Sequence, residues 1–89
     1  MSNSNNANPI LLGSMVRFNL RVLTFQTKKR FEHVFGRLGK FKKVILLRDI
    51  PENISNRMMC ESARRWVFLY TKKGELRAVV ENALICVSE

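Results

Sequence analysis

The chain has 89 residues, of which 46% are hydrophobic and 26% are charged, and its formal net charge is +9. A chain of this length has room for one hydrophobic core, which excludes a multidomain enzyme, and its apolar content excludes a wholly disordered basic tail. Its longest apolar runs, such as WVFLY at 66–70, have five residues, far fewer than a membrane-spanning helix needs.

The excess positive charge is confined to one stretch of the chain. Residues 17–48 contain ten Lys and Arg but a single acid, Glu32, whereas residues 49–89 contain six basic and six acidic residues, which cancel. Such asymmetry within one domain is typical of a surface that meets a partner rich in phosphate or carboxylate.

The N-terminal part of the chain predicts a tail followed by a strand. Residues 1–14 begin with a polar, Asn- and Ser-rich segment without periodicity, so we expect a disordered tail and a single folded domain at 15–89. Residues 15–22 alternate apolar and polar side chains, which predicts a half-buried strand.

A basic helix is predicted next. Phe31, Val34, Phe35 and Leu38 follow the i, i+3, i+4, i+7 spacing of a helix face. The preceding Thr27 is a suitable N-cap, and Gly39 (after Leu38) is a suitable stop.

The second half predicts further strands and a second helix. Residues 44–47 are four consecutive aliphatic residues, which indicates a strand covered on both faces and central in its sheet. Residues 49–53 are typical of a turn, and a helix capped by Asn53 or Ser55 is expected to run to about residue 64. Residues 66–70 predict another strand.

The C-terminal segment fits two structures. Its Lys-Lys-Gly sequence before residue 75 indicates a hairpin turn that leads into a strand with Leu76, Ala78 and Val80 inward, yet the apolar residues of 76–87 also trace a helical stripe. We favour the hairpin. The expected fold is therefore α+β, a small sheet of three to four strands with two or three short helices.

Residues for catalysis or metal binding are few. The chain has one histidine, His33, and two cysteines, Cys60 and Cys86, 26 positions apart, so no CxxC pair or multi-histidine site exists. No glycine-rich phosphate loop occurs. We therefore expect no enzyme activity, no metal and no cofactor.

The candidate site is a basic surface within residues 17–48. Lys and Arg side chains there can neutralise phosphates, and exposed aromatic rings beside them can stack on bases. The candidate phosphate-binding residues are Arg17, Arg21, Lys28, Lys29, Arg37, Lys40, Lys42 and Lys43, and the candidates for stacking are Phe25, Phe41 and Tyr70.

The sequence thus favours a small basic protein that binds nucleic acid, RNA in preference to DNA, and that is intracellular, either cytoplasmic or nuclear. The alternative is a non-enzymatic accessory or adaptor protein, in the manner of a virus-encoded regulator, that contacts another protein or a second copy of itself through an apolar sheet surface. Peripheral contact with an anionic membrane is a third, weaker hypothesis.

Overall fold

A computed structural model describes residues 10–55 and 63–87 and confirms the α+β class. In chain order the elements are β1 Met15–Phe18, α1 Phe25–Phe35, β2 Lys42–Lys43, β3 Leu46–Asp49, α2 Glu52–Ser55, β4 Arg65–Tyr70, β5 Leu76–Val80, a 3-10 helix Glu81–Ala83 and β6 Leu84–Val87. Within these described residues, no helix has the length and apolar character needed to cross a bilayer.

The strands form two antiparallel sheets of three strands each. Sheet A has the order β2-β1-β6, and sheet B has the order β3-β4-β5. The two sheets are separate because the segment 42–49 pairs with β1 in its first half and with β4 in its second half. The Val44 N–H donates to Ser14 O at 2.9 Å on the sheet A side, and the next N–H, of Ile45, donates to Phe68 O at 3.0 Å in sheet B. Such a strand makes a corner between two packed sheets.

One core lies between the two sheets and α1. Val16 and Phe18 of β1 and Val67 and Leu69 of β4 are each at most 2% exposed. The Phe18 ring lies 5.0 Å from Phe31 and 5.3 Å from Phe35, centroid to centroid, which joins α1 to the inner face of sheet A. Aromatic contacts of this kind stabilise a core beyond the apolar area they bury.

The first strand is shorter than the alternation predicts. It ends at Phe18, and the side chains of Leu20 and Val22, predicted to face the core, are 45% and 56% exposed. A turn at Asn19 is the cause: its side-chain oxygen accepts from the Arg21 N–H at 3.2 Å, and its carbonyl accepts from the Val22 N–H at 3.2 Å.

The predicted limits of the first helix are wrong by three residues at each end. Thr24 is the N-cap, with its hydroxyl accepting from the Thr27 N–H at 3.1 Å, and Gly36, at φ 85°, is the C-cap. Leu38 is buried as predicted, but from the loop that follows α1.

The prediction that residues 44–47 form a central strand is also wrong. Strand β3 lies at an edge of sheet B, and β4 is the central strand. The four aliphatic residues are consecutive because Val44 and Ile45 lie where the chain passes between sheets. Of the predicted second helix, α2 is described over Glu52–Ser55, and residues 56–62 lie outside the described residues.

The C-terminal segment is a hairpin followed by a strand, which confirms the favoured prediction. Gly74, at φ 85°, donates its N–H to Thr71 O at 2.9 Å within the β4–β5 turn. The predicted facing was wrong, because Val79 is buried while Leu76 and Ala78 are exposed.

Part of the predicted tail belongs to the folded structure. Ile10 is buried in the core, and the Gly13 N–H donates to Val44 O at 3.0 Å. Residues 1–9 lie outside the described residues.

Candidate nucleic-acid interface

The predicted basic residues are mostly exposed and free of ion pairs with described acids. Six are exposed, and Lys28 and Lys42 are half-buried; the exposed six are Arg17, Arg21, Lys29, Arg37, Lys40 and Lys43. The ion pairs found in the described part of the chain join Arg65 to Glu81 at 3.3 Å and Arg77 to Glu75 at 3.6 Å. Both use cations of the C-terminal half, so neither of these ion pairs involves a candidate phosphate-binding residue.

Three of these cations and one aromatic ring surround a shallow cavity of about 380 Å³ beside α1. Phe25, Lys28 and Lys29 have the i, i+3, i+4 spacing that places side chains on one helix face. The chain turns back after the Gly36 cap, which brings Arg37 to the same cavity. We call Phe25, Lys28, Lys29 and Arg37 the helix group.

The helix group contains a cation–π contact. The Lys29 Nζ lies 4.9 Å from the centroid of the Phe25 ring, which is 70% exposed. The carboxylate residue Glu32 also lines the cavity, beside these three cations. The arrangement offers an anion three cations and a ring within reach of one another, a combination that suits a phosphate together with its base.

A second group of candidates lies on the other side of sheet A. Met15 of β1 is directly opposite Lys43 of β2, so Lys43 and Arg17 share the outer face, whereas Phe18 faces α1. Continuing that register by one residue places Phe41, which is 55% exposed, opposite Arg17. We call Arg17, Phe41 and Lys43 the sheet group; it and the helix group lie on opposite sides of sheet A.

Lys42 has a structural contact that distinguishes it from the other candidates. It is opposite Val16 on the inner face of sheet A, and its Nζ donates to Phe35 O at the end of α1, at 2.9 Å. Burial first, and then the charge of Lys40, lowers the pKa of Lys42. This ammonium already interacts with the last turn of α1, so Lys42 is not part of the helix group.

Arg21 and Lys40 lie in exposed turns beside these elements. The Arg21 N–H is held by the Asn19 side chain, and the Lys40 N–H donates to Arg37 O at 3.3 Å. Neither side chain lines the cavity of the helix group.

The three stacking candidates are all exposed but do not form one surface. Tyr70 is 51% exposed at the end of β4, in sheet B, while Phe25 lies in α1 and Phe41 precedes β2. Trp66 and Phe68 were not among the stacking candidates, yet both are half-buried on the same face of β4 as Tyr70. The strict alternation of these rings with Val67 and Leu69 was the signal that could have revealed this face.

A second basic cavity was not predicted. Its volume is about 270 Å³, and it lies where α1 meets the β4–β5 turn, because the Lys72 N–H donates to Val34 O at 3.1 Å. The charged or titratable side chains that line it are His33, Lys72, Lys73, Glu75 and Arg77. The sequence interpretation used the two lysines as turn residues and overlooked their proximity to α1.

Among residues 10–55 and 63–87, no group of three or more His, Cys, Asp or Glu side chains is placed to hold a metal ion.

No family model matches the chain, and comparison with curated proteins and with solved structures finds no significant match. These comparisons therefore provide neither a function nor a set of site residues for this protein.

Proposed function

We propose that this protein binds nucleic acid, RNA in preference to DNA, through the helix group. The observation that supports this most directly is that Lys28, Lys29, Arg37 and the exposed Phe25 ring surround one surface cavity. Cations at such a site contact phosphates and release condensed counterions, so the affinity depends on salt.

The exposed ring favours unpaired nucleotides, which RNA presents more often than DNA does. Proteins recognise RNA mainly at unpaired nucleotides, whose bases can stack on aromatic side chains, whereas the bases of a duplex are stacked on one another. Phe25 has one face near the Lys29 ammonium and most of its surface open to solvent. It can therefore accept an unpaired base while the neighbouring cations contact the phosphates.

The two opposed groups of cations provide the test. A labelled single-stranded RNA is titrated with wild type, with Lys28→Glu/Lys29→Glu, and with the control Arg17→Glu/Lys43→Glu. Both variants change the net charge by the same amount, but they act on opposite sides of sheet A. We expect the helix-group variant to lose binding at moderate salt and the control to retain most of it.

Equal losses in the two variants would mean that binding follows net charge rather than this surface. Retention of full affinity by the helix-group variant would refute the proposed site. Circular dichroism of both variants shows whether the fold is retained, which matters most for Lys28 because it is half-buried while the other three positions are exposed.

A further inference from the structure

The outer face of sheet B is apolar and carries a row of aromatic rings. Trp66, Phe68 and Tyr70 occupy alternate positions of the central strand β4, on the side opposite the fully buried Val67 and Leu69. Alternate residues of a strand are about 6.6 Å apart, so the row extends about 13 Å along the sheet.

Neighbouring strands complete this face. Phe68 is opposite Leu46 of β3 and Ala78 of β5, and Tyr70 is opposite Leu76, which is 43% exposed. The face is therefore a set of contiguous rings and aliphatic groups rather than an isolated exposed residue, with Tyr70 and Leu76 exposed and Leu46, Trp66 and Phe68 half-buried.

Cations lie at both ends of the aromatic row. Arg48 is opposite Trp66 and is exposed, and it lines a shallow surface cavity together with Asp49 and Arg65. Beyond Tyr70, the exposed Lys72 and Lys73 form the turn. That turn contacts the end of α1, where Lys72 and Lys73 line a cavity together with His33, Glu75 and Arg77.

The size of the face fits a few nucleobases, whereas a protein partner would have to contact surface beyond it. Three strands about 4.8 Å apart and five residues long at about 3.3 Å per residue have a footprint of about 240 Å². A stable protein–protein interface buries about 800 Å² on each partner. The same footprint is sufficient for two or three nucleobases, and the flanking cations are complementary to their phosphates.

We infer that the outer face of sheet B is a stacking platform for the unpaired bases of single-stranded nucleic acid, with Tyr70 as its most exposed ring. This inference rests on the proposed function and names its substrate class. Phosphates on either side of the stacked bases contact Arg48 at one end and Lys72 and Lys73 at the other. Paired bases cannot reach the rings, so a duplex binds without using this face.

Trp66, the single tryptophan of the chain, is a built-in probe of this face. Full-length protein is titrated with a fluorescein-labelled oligouridylate of about ten nucleotides, within the usual range of site sizes. Tryptophan emission and label anisotropy are read in parallel, and a duplex RNA of equal length is the comparison. We expect the single strand to quench Trp66 as it binds, and the duplex to bind more weakly without quenching.

Variants of exposed rings separate this inference from the proposed function. Tyr70→Ala is expected to weaken oligouridylate binding by about 10-fold, as loss of one stacking ring does. Tyr70→Phe keeps the ring and should retain the affinity. The matched control Phe41→Ala removes a ring of similar exposure from the sheet group and should also retain it.

The stacking inference is overturned, and the proposed function survives, if Lys28→Glu/Lys29→Glu abolishes binding while Tyr70→Ala binds as wild type and Trp66 emission does not change. Both fall if wild type binds no oligonucleotide. A wild-type dimer in light scattering that Tyr70→Ala dissociates, without quenching of Trp66 by RNA, would instead assign this face to self-association and overturn the inference.

Discussion

The salt dependence of binding is a quantitative test of the helix group. Lys28 and Lys29 are replaced by Gln, which removes two positive charges while keeping side chains of similar polarity. In single strands each neutralised phosphate contributes about −0.7 to the slope of log K against log salt. If both lysines contact phosphates, the double variant should therefore reduce the magnitude of the slope by about 1.4, whatever the remaining cations contribute.

The difference is large enough to measure. Between about 50 and 200 mM salt, a slope change of about 1.4 means that the variant loses about sevenfold less affinity than wild type over the same range. Fluorescence anisotropy at five or six salt concentrations gives both slopes. The control is Arg17→Gln/Lys43→Gln, which removes the same charge from the outer face of sheet A.

Two results would refute the reasoning. An unchanged slope in the Lys28 and Lys29 variant would show that these side chains contact no phosphate, even if the affinity fell. Identical slope changes in the variant and in the Arg17 and Lys43 control would show that the strand has no preferred side of the molecule.

Three further predictions concern a core ring, a helix cap and a partly buried lysine. Phe18→Ala should lower the free energy of unfolding by about 3–5 kcal/mol in urea denaturation, because it removes a ring that is 2% exposed and packs on two rings of α1. Thr24→Ala should cost about 1 kcal/mol in the same assay and Thr27→Ala less, because the Thr24 hydroxyl accepts the capping bond. Lys42→Met removes a cation whose pKa is lowered by burial and by Lys40. Lys42 therefore loses its proton at a lower pH in the folded state than in the unfolded chain. The free energy of unfolding of wild type, relative to that of this variant, should rise between neutral pH and about pH 10. Urea titrations at both pH values would measure this difference.

Local patterns in the sequence predicted the elements better than their limits. The alternation of Met15–Phe18, the apolar run 66–70 and the glycine turn at Gly74 each predicted a strand or a hairpin that the structure contains. Strand β1 was predicted too long because Leu20 and Val22 continue the alternation through a turn. Periodicity does not register the hydrogen bonds of an Asx turn, which compete with strand pairing.

The change of partner at Val44–Ile45 could not be read from composition. Four consecutive aliphatic residues indicate burial on both sides, and a central strand is the usual reason. Here the same pattern serves a chain that leaves one sheet and enters another. Only the pairing of Val44 with Ser14 and of Ile45 with Phe68 distinguishes the two arrangements, and both contacts are remote in sequence.

Candidate residues could be named from the sequence, but their arrangement in space could not. The concentration of cations in 17–48 and the exposure of Phe25, Phe41 and Tyr70 follow from the sequence interpretation. Their distribution over separate surfaces depends on the register that opposes Met15 to Lys43, and on which face of β1 receives α1. Neither this register nor the face on which α1 packs can be read from residue types alone.

The glycines at the end of α1 allow the shifted helix to be tested directly. Thr24 and Gly36 are twelve positions apart, as are Thr27 and Gly39, so the sequence offers two equally spaced pairs of caps. In the structure Gly36 adopts φ 85° and ψ −151°, a region that is essentially restricted to glycine. Gly39 does not have positive φ, and nothing lies within 4 Å of the position that a Cβ would occupy there.

Gly36→Ala should therefore lower the free energy of unfolding by about 1–3 kcal/mol, the cost of forcing a non-glycine residue into this region. Backbone conformation rather than crowding is the reason, since the nearest atom to an added Cβ, the Cβ of Lys72, is at an ordinary 4.0 Å. Gly39→Ala should be neutral or stabilising by up to about 1 kcal/mol, because it reduces the entropy of the unfolded chain. Urea denaturation of both variants measures these changes in the free energy of unfolding. A larger loss in Gly39→Ala than in Gly36→Ala would place the end of the helix at Gly39. The turn that brings Arg37 close to Lys28 and Lys29 would then not exist.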